Sequence, residues 1–246
     1  MLPIRDSVPS RSVPVVTRTL IFINVLVFFF ELMLPPESLE QMFYLFGIVP
    51  ARFTDPAWAA NIGFPLGSYW PFLTHQFLHG GWLHIIANMW TLWIFGDNVE
   101  DRMGPGRFAI FYLLCGCISG ITHTLVNADS TLPSVGASGA IAGVLGAYLL
   151  LFPTARLVVM LPILFFPFFF EVPAVFFLIV WFLGELFAGT AALGGPKQVG
   201  GIAFWAHVGG FVAGMALCWF FVRRRRALQP DEYDLEWAWE PRPRPR

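Results

Sequence analysis

Charge is scarce in this chain. Only 13% of its 246 residues are Asp, Glu, Lys or Arg, whereas a typical soluble domain carries about 25%. That shortage argues against a soluble globule and leaves little material for a second, water-exposed domain. Cysteine is scarce as well. The three present, Cys115, Cys117 and Cys218, lie in apolar stretches; an odd number of thiols so placed reads as core filler rather than a disulfide framework. The first 16 residues hold no apolar core of the signal-peptide kind, so no cleavable leader is expected and the first apolar run should stay as an anchor. The formal net charge of −1 says little, because distribution matters more than sum.

What the chain has in quantity is apolar and aromatic. Hydrophobic residues make up 57%, with 27 Phe, 10 Trp, 23 Gly and 20 Pro. Glycine and proline are common in membrane helices, and aromatic rings line membrane interfaces. The composition therefore predicts an all-α, polytopic membrane protein. Six runs approach the ~20 residues a bilayer requires: Thr17–Leu34, Trp82–Val99, Arg107–Val126, Ser134–Phe152, Val172–Gly189 and Ala203–Val222. Six crossings leave both termini on one side. That side collects Arg5, Arg11, Arg18, Arg102, Arg107, Arg156 and Arg223 to Arg226, while the other holds Arg52 and Lys197. Because cytoplasmic loops carry the excess of Lys and Arg, both termini are expected in the cytoplasm. The implied organisation is a cytoplasmic segment over 1–16, a helical unit over 17–222, and a polar cytoplasmic tail over 223–246.

Two connections are unusual. Pro35 to Gly81 is long and rich in aromatics and prolines, which predicts a loop packed at the outer interface rather than a disordered linker. Pro153 to Glu171 has an apolar centre broken by Pro162 and Pro167. Each fragment is too short to span, so an interfacial or re-entrant piece on the cytoplasmic side is expected. The arginine run after the last span should anchor it at anionic headgroups; a nucleic-acid role is not expected.

Polar residues inside such spans point to function, since they are costly there and face the protein interior. Ser138 lies near the outer start of the fourth span and His207 near the outer start of the sixth. A lone serine is bland, because its hydroxyl can bond its own backbone, but a serine and an imidazole at one depth suggest a nucleophile and its base. His84 and Asn88, near the outer start of the second span, are at i and i+4 and share a helix face. Alone they read as interhelical glue. At the depth of Ser138 and His207 they are better read as donors aimed at a developing oxyanion. Gly139-x-x-x-Gly143 and Ala206-x-x-x-Gly210-x-x-x-Gly214 would let the fourth and sixth helices approach closely, as a Ser–His hydrogen bond demands.

Other polar groups are weighed against plainer readings. His75 and His79 have the spacing of a zinc motif, but Gln76 stands where the general base would be, so no metal is predicted. Glu185, near the outer end of the fifth span, could orient the imidazole or simply bond a neighbour; the second reading is preferred. Glu100 and Arg102 are expected to pair locally at the end of the second span, which Gly104 terminates. His123 reads as a satisfied core histidine and Asn24 as interhelical glue.

These residues resemble the rhomboid family of intramembrane serine proteases. The resemblance rests on Gly136-Ala137-Ser138-Gly139, on Ala206-His207-x-x-Gly210-x-x-x-Gly214, on His84-x-x-x-Asn88-Met89 followed by Phe95-Gly96-x-x-Val99-Glu100-x-x-x-Gly104, and on Phe77-Leu78-His79-Gly80 before them. It covers about Arg18 to Val222. It implies a six-helix bundle with a membrane-embedded first outer loop and lateral substrate entry past the fifth span and the loop after it. It also implies a Ser–His dyad that requires no acid, with Ser138 as nucleophile, His207 as general base and then acid, and an oxyanion hole from His84, Asn88 and the Ser138 N–H. No cofactor is implied. The partners implied are single-span membrane proteins and the lipid bilayer, in a setting read as a bacterial plasma membrane. One departure is visible: where some bacterial members have a tyrosine stacked on the histidine, this chain has Ala142. The rival readings are a catalytically silent rhomboid-like protein that binds membrane clients and, less well supported, a transporter, for which no internal repeat is evident.

Overall fold

A computed structural model describes residues 2–65, 67–163, 166–193 and 203–223. The expected cytoplasmic tail beyond Arg223, and the loop between the fifth and sixth spans, lie outside the described residues. The elements run β1 (Leu2–Asp6), α1 (Val15–Met33), α2 (Pro36–Phe46), α3 (Pro50–Thr54), α4 (Pro56–Ile62), α5 (Pro71–Thr74), α6 (Trp82–Met103), α7 (Pro105–Val126), α8 (Ser138–Leu151), β2 (Arg156–Ile163), β3 (Phe166–Pro173), α9 (Ala174–Leu193) and α10 (Phe204–Phe221). Proline opens α2, α3, α4, α5 and α7 at their first positions, where its missing N–H costs nothing and its φ is already helical.

Among the described residues four helices, α1, α7, α9 and α10, are long and apolar enough to cross a bilayer. The other two expected spans are also helices but differ in kind. α6 has 22 residues and ends in the polar run Asp97 to Arg102. α8 has 14 residues, about 21 Å at 1.5 Å per residue, short of a ~30 Å hydrocarbon core. It lies in the centre, packed by α6, α7, α9 and α10, and every residue from Gly139 to Tyr148 is buried. A helix apolar on all sides belongs in such a position.

Glycine makes this packing possible. A Cβ on Gly210 would collide with the Gly139 carbonyl, one on Gly214 with the Gly143 carbonyl, and one on Gly146 with the Phe211 carbonyl. On the opposite flank, Gly139 and Gly143 are filled by Ser119 and Cys115 of α7. α8 and α10 are thus in backbone contact along two turns.

The expectation of an all-α chain needs correction. β1, β2 and β3 form a three-stranded antiparallel sheet in the order β1-β2-β3. The apolar stretch read as an interfacial or re-entrant piece is the β2–β3 hairpin, with Pro162 opposite Pro167. Its valines and phenylalanines suit a pleated ladder. Its prolines are tolerated because Pro167 lies on an edge strand and Pro162 lies beyond the register of β1. The segment over 1–16, expected as a cytoplasmic segment outside the helical unit, supplies β1. Asp6 fastens it, accepting from Asn98 Nδ2 at 2.8 Å and from the Tyr148 hydroxyl at 2.6 Å.

Two further expectations change. The buried Glu100 carboxylate does not pair with Arg102. It accepts from the Val16 and Thr17 backbone N–H groups and the Thr17 hydroxyl at 2.8–2.9 Å, capping α1, whose first donors have no partner within the helix. Arg102 instead lies over the Phe152 ring at 5.6 Å. Asn24 bonds the Leu20 carbonyl of its own helix at 2.8 Å rather than a neighbour. Gly104, with φ 79°, does end α6.

Helix contact of this kind makes a graded prediction. Gly214→Val should destabilise the protein by about 1–3 kcal/mol or more through overpacking. Gly184→Ala, on the open face of α9 where a Cβ meets nothing within 4 Å, should leave stability unchanged. Thermal unfolding in a common detergent distinguishes the two; equal behaviour would contradict the packing.

Candidate active site

The chain segment before α8 is set by the connection between α1 and α6. Ile48 and Ser134 exchange backbone hydrogen bonds at 2.8 and 2.9 Å, and the Gly136 N–H donates to the His75 carbonyl at 2.9 Å. Gly136 has φ 133°, a left-handed conformation for which glycine is suited. Its missing Cβ also leaves room for the His84 ring, whose Nε2 would stand 2.7 Å from such a carbon. The chain then turns into α8 with Ser138 as the first helical residue. Backbone N–H groups there have no partner within the helix.

His207 sits in the first turn of α10. Its Nε2 lies 2.7 Å from the Ser138 hydroxyl oxygen and its Nδ1 lies 2.7 Å from a Glu185 carboxylate oxygen. The imidazole and the glutamate are mostly buried, with side-chain exposures of 13% and 17%. Trp181, one turn before Glu185 on α9, covers the imidazole, with ring centroids 6.1 Å apart and planes inclined by 33°.

His84 and Asn88 come from the first turns of α6. Asn88 is 6% exposed, and its Nδ2 has no partner among the described residues. An unsatisfied buried amide costs about 1–3 kcal/mol, so a donor left open in this way needs a physical reason. A ligand oxygen arriving there would satisfy it.

The remaining histidines are arranged differently. His75 Nδ1 stands 2.8 Å from the Pro71 carbonyl, and His79 packs edge-on against His84 at 5.1 Å between ring centroids. Burial pushes the His75 imidazole down to about 4 and that of His79 to about 3. Among the described residues no group of three or more His, Cys, Asp or Glu is gathered as metal ligands. The His123 Nδ1 lies 3.3 Å from the Asn127 side-chain amide at the end of its own helix. The cysteines are free thiols.

The structure brings Ser138, His207 and Glu185 into one hydrogen-bonded line, with the His84 ring alongside at Gly136 and Asn88 one turn further along α6. Glu100 and Arg102 stand at the other end of α6. Three contributors escaped sequence reasoning: Trp181, the space at Gly136, and Glu31, whose carboxylate accepts the His79 backbone N–H at 3.1 Å. Of these, Trp181 carried a usable signal, because i and i+4 residues share a helix face.

A membrane-helix bundle with a serine and a histidine hydrogen-bonded between two of its central helices defines a class: integral membrane proteins with the constellation of a serine hydrolase. The Rhomboid domain family model matches residues 66–224, more than half of the chain, and the chain belongs to the rhomboid family. Rhomboids are generally serine intramembrane proteases that act on transmembrane substrates within a lipid bilayer. Rhomboid protease GluP of Bacillus subtilis is 43% identical over 83 residues, which is 34% of this chain and 16% of that protein. Rhomboid protein 1, mitochondrial, of Saccharomyces cerevisiae is 32% identical over 162 residues, 62% of this chain and 43% of its own. RHOMBOID-like protein 5 of Arabidopsis thaliana is 37% identical over 83 residues, 34% of this chain and 27% of its own. The chain thus spans less than half the length of each of these relatives.

The buried histidines outside the spans set a pH dependence. Their folded-state values lie below the ordinary 6.5, so the unfolded chain takes up protons first. Stability is full above about 6.5 and falls as the pH drops toward 4. His75→Gln should flatten that slope in thermal unfolding between pH ~7 and ~4.5; an unchanged slope would show that His75 is not protonated on unfolding.

Proposed function

We propose that this protein is an intramembrane serine endopeptidase that cuts transmembrane segments near the outer membrane face, using Ser138 and His207. The observation that carries the reading is the 2.7 Å contact between the Ser138 hydroxyl and His207 Nε2. Membership of the rhomboid family supports it.

The topology proposed is six crossings over 17–222 with both termini cytoplasmic, in a bacterial plasma membrane. In its favour, the starts of α6, α8 and α10, which carry the site, lie at one end of the bundle. Arginines gather at the opposite ends. The Arg223 N–H bonds the Arg102 carbonyl at 3.0 Å, Arg107 reaches the Val222 carbonyl at 3.5 Å, and Arg5 lies in the sheet that contains Arg156. The helices of the connection from Pro36 to Thr74 would form a membrane-embedded outer loop.

In the reaction, a substrate helix unwinds at its top and presents a peptide carbonyl. Ser138 attacks the carbonyl carbon while its proton passes to His207 Nε2. The oxygen that gains charge accepts hydrogen bonds from the Asn88 amide, the His84 ring and the Ser138 backbone N–H. The C–N bond then breaks, and the imidazolium returns the proton to the departing amine. Water attacks the ester, giving a proton to the same Nε2; the ester C–O bond breaks, and Ser138 recovers its proton.

Ser138→Ala and His207→Ala should each abolish cleavage of a reporter single-span protein in liposomes while leaving folding intact. Asn88→Ala should lower kcat by about 10²–10³-fold. A fluorophosphonate should label the wild type on Ser138 and fail to label Ser138→Ala. A wild type that is folded but neither labelled nor active would support the rival reading of a silent, client-binding rhomboid-like protein.

A further inference from the structure

We infer that Glu185 is a positioning residue for His207, a carboxylate that this chain adds behind its Ser–His dyad. This deepens the reading above and rests on it. Glu185 is the single carboxylate of α9, in a helix otherwise apolar on every side, where an ionisable group is costly unless a partner satisfies it. Its partner is His207 Nδ1 at 2.7 Å. Trp181 and Glu185 are i and i+4 on α9, so one face of that helix presents both a ring to cover the imidazole and a carboxylate to fix its rotation. Ala142, one turn after Ser138, offers no ring of its own; α9 does so instead.

The chemical consequence lies in the tautomer. With the carboxylate accepting from Nδ1–H, the lone pair is on Nε2, facing the Ser138 hydroxyl proton. The other tautomer would place a proton between Nε2 and the serine oxygen and leave the nucleophile unactivated. When Nε2 takes the serine proton, the carboxylate faces an imidazolium and stabilises it without becoming protonated itself. The other titratable groups near enough to interact with the charge on His207 are His84 on α6 and His123 on α7, neither of which can replace a fixed anion.

The test uses the full-length protein in liposomes with the reporter substrate, together with 15N-histidine NMR assigned by loss of a signal in His207→Asn. Glu185→Gln keeps the shape and removes the charge. It should lower kcat by about 10–100-fold, with KM changed by less than about twofold. Glu185→Asp should recover part of the loss. The wild-type His207 ring should show one tautomer, protonated at Nδ1, and Glu185→Leu should show a mixture. Turnover of both Glu185→Gln and Glu185→Leu within about twofold of wild type, or an identical tautomer in wild type and Glu185→Leu, would overturn the assignment. If the wild type itself neither cleaves nor reacts with a fluorophosphonate, the protease reading fails. The tautomer measurement still decides whether Glu185 sets the imidazole.

Discussion

Everything at the site depends on how closely two backbones approach. α8 and α10 touch through Gly139, Gly143, Gly146, Gly210 and Gly214, and a single methyl at Gly210, Gly214 or Gly146 would meet a carbonyl of the facing helix. Only at that separation does a side chain as short as serine reach an imidazole on the neighbouring helix. In lipid, helices gain little from apolar burial against one another, so packing and small residues carry the association. The glycines therefore fix stability and chemical geometry together.

The elements around this contact hold the remaining groups in place. The first connection fastens the approach to Ser138 through Ile48 and His75. α6 contributes His84, accommodated by the bare Cα of Gly136, and Asn88 with its open donor. α9 contributes Trp181 and Glu185. At the far end, the Glu100 carboxylate caps α1 and the Asp6–Asn98–Tyr148 cluster ties the sheet to α6 and α8. Asp6, Asn98, Glu100 and Tyr148 at the far end are hydrogen-bonded within the protein, whereas Asn88 Nδ2 has no partner among the described residues.

Much of this was legible in the sequence because a polar residue in an apolar stretch is conspicuous. Ser138, His207, His84 and Asn88 stood out for that reason, and the small-residue spacing indicated which helices touch. Glu185 was equally visible, with His207 as one of its two candidate partners, but nothing chose between them. α9 is apolar all round, so nothing in its sequence fixes its rotation, and the local-bond reading was preferred. The hairpin was missed because an apolar run of aromatic and β-branched residues suits a strand and a membrane segment alike. Its partner strand β1 lies some 150 residues earlier in the chain. Glu100 was misassigned for a related reason: the groups it satisfies are backbone donors of a different helix, which carry no sequence signature.

The most direct test of the central contact is a mechanism-based electrophile that acylates a serine and then exposes a second electrophilic carbon to an adjacent imidazole. After reaction with the protein in liposomes and proteolytic digestion, mass spectrometry reads which side chains are bridged. The account predicts one cross-link, joining Ser138 to His207. A bridge from Ser138 to a different histidine, or acylation of Ser138 with no imidazole captured, would contradict it.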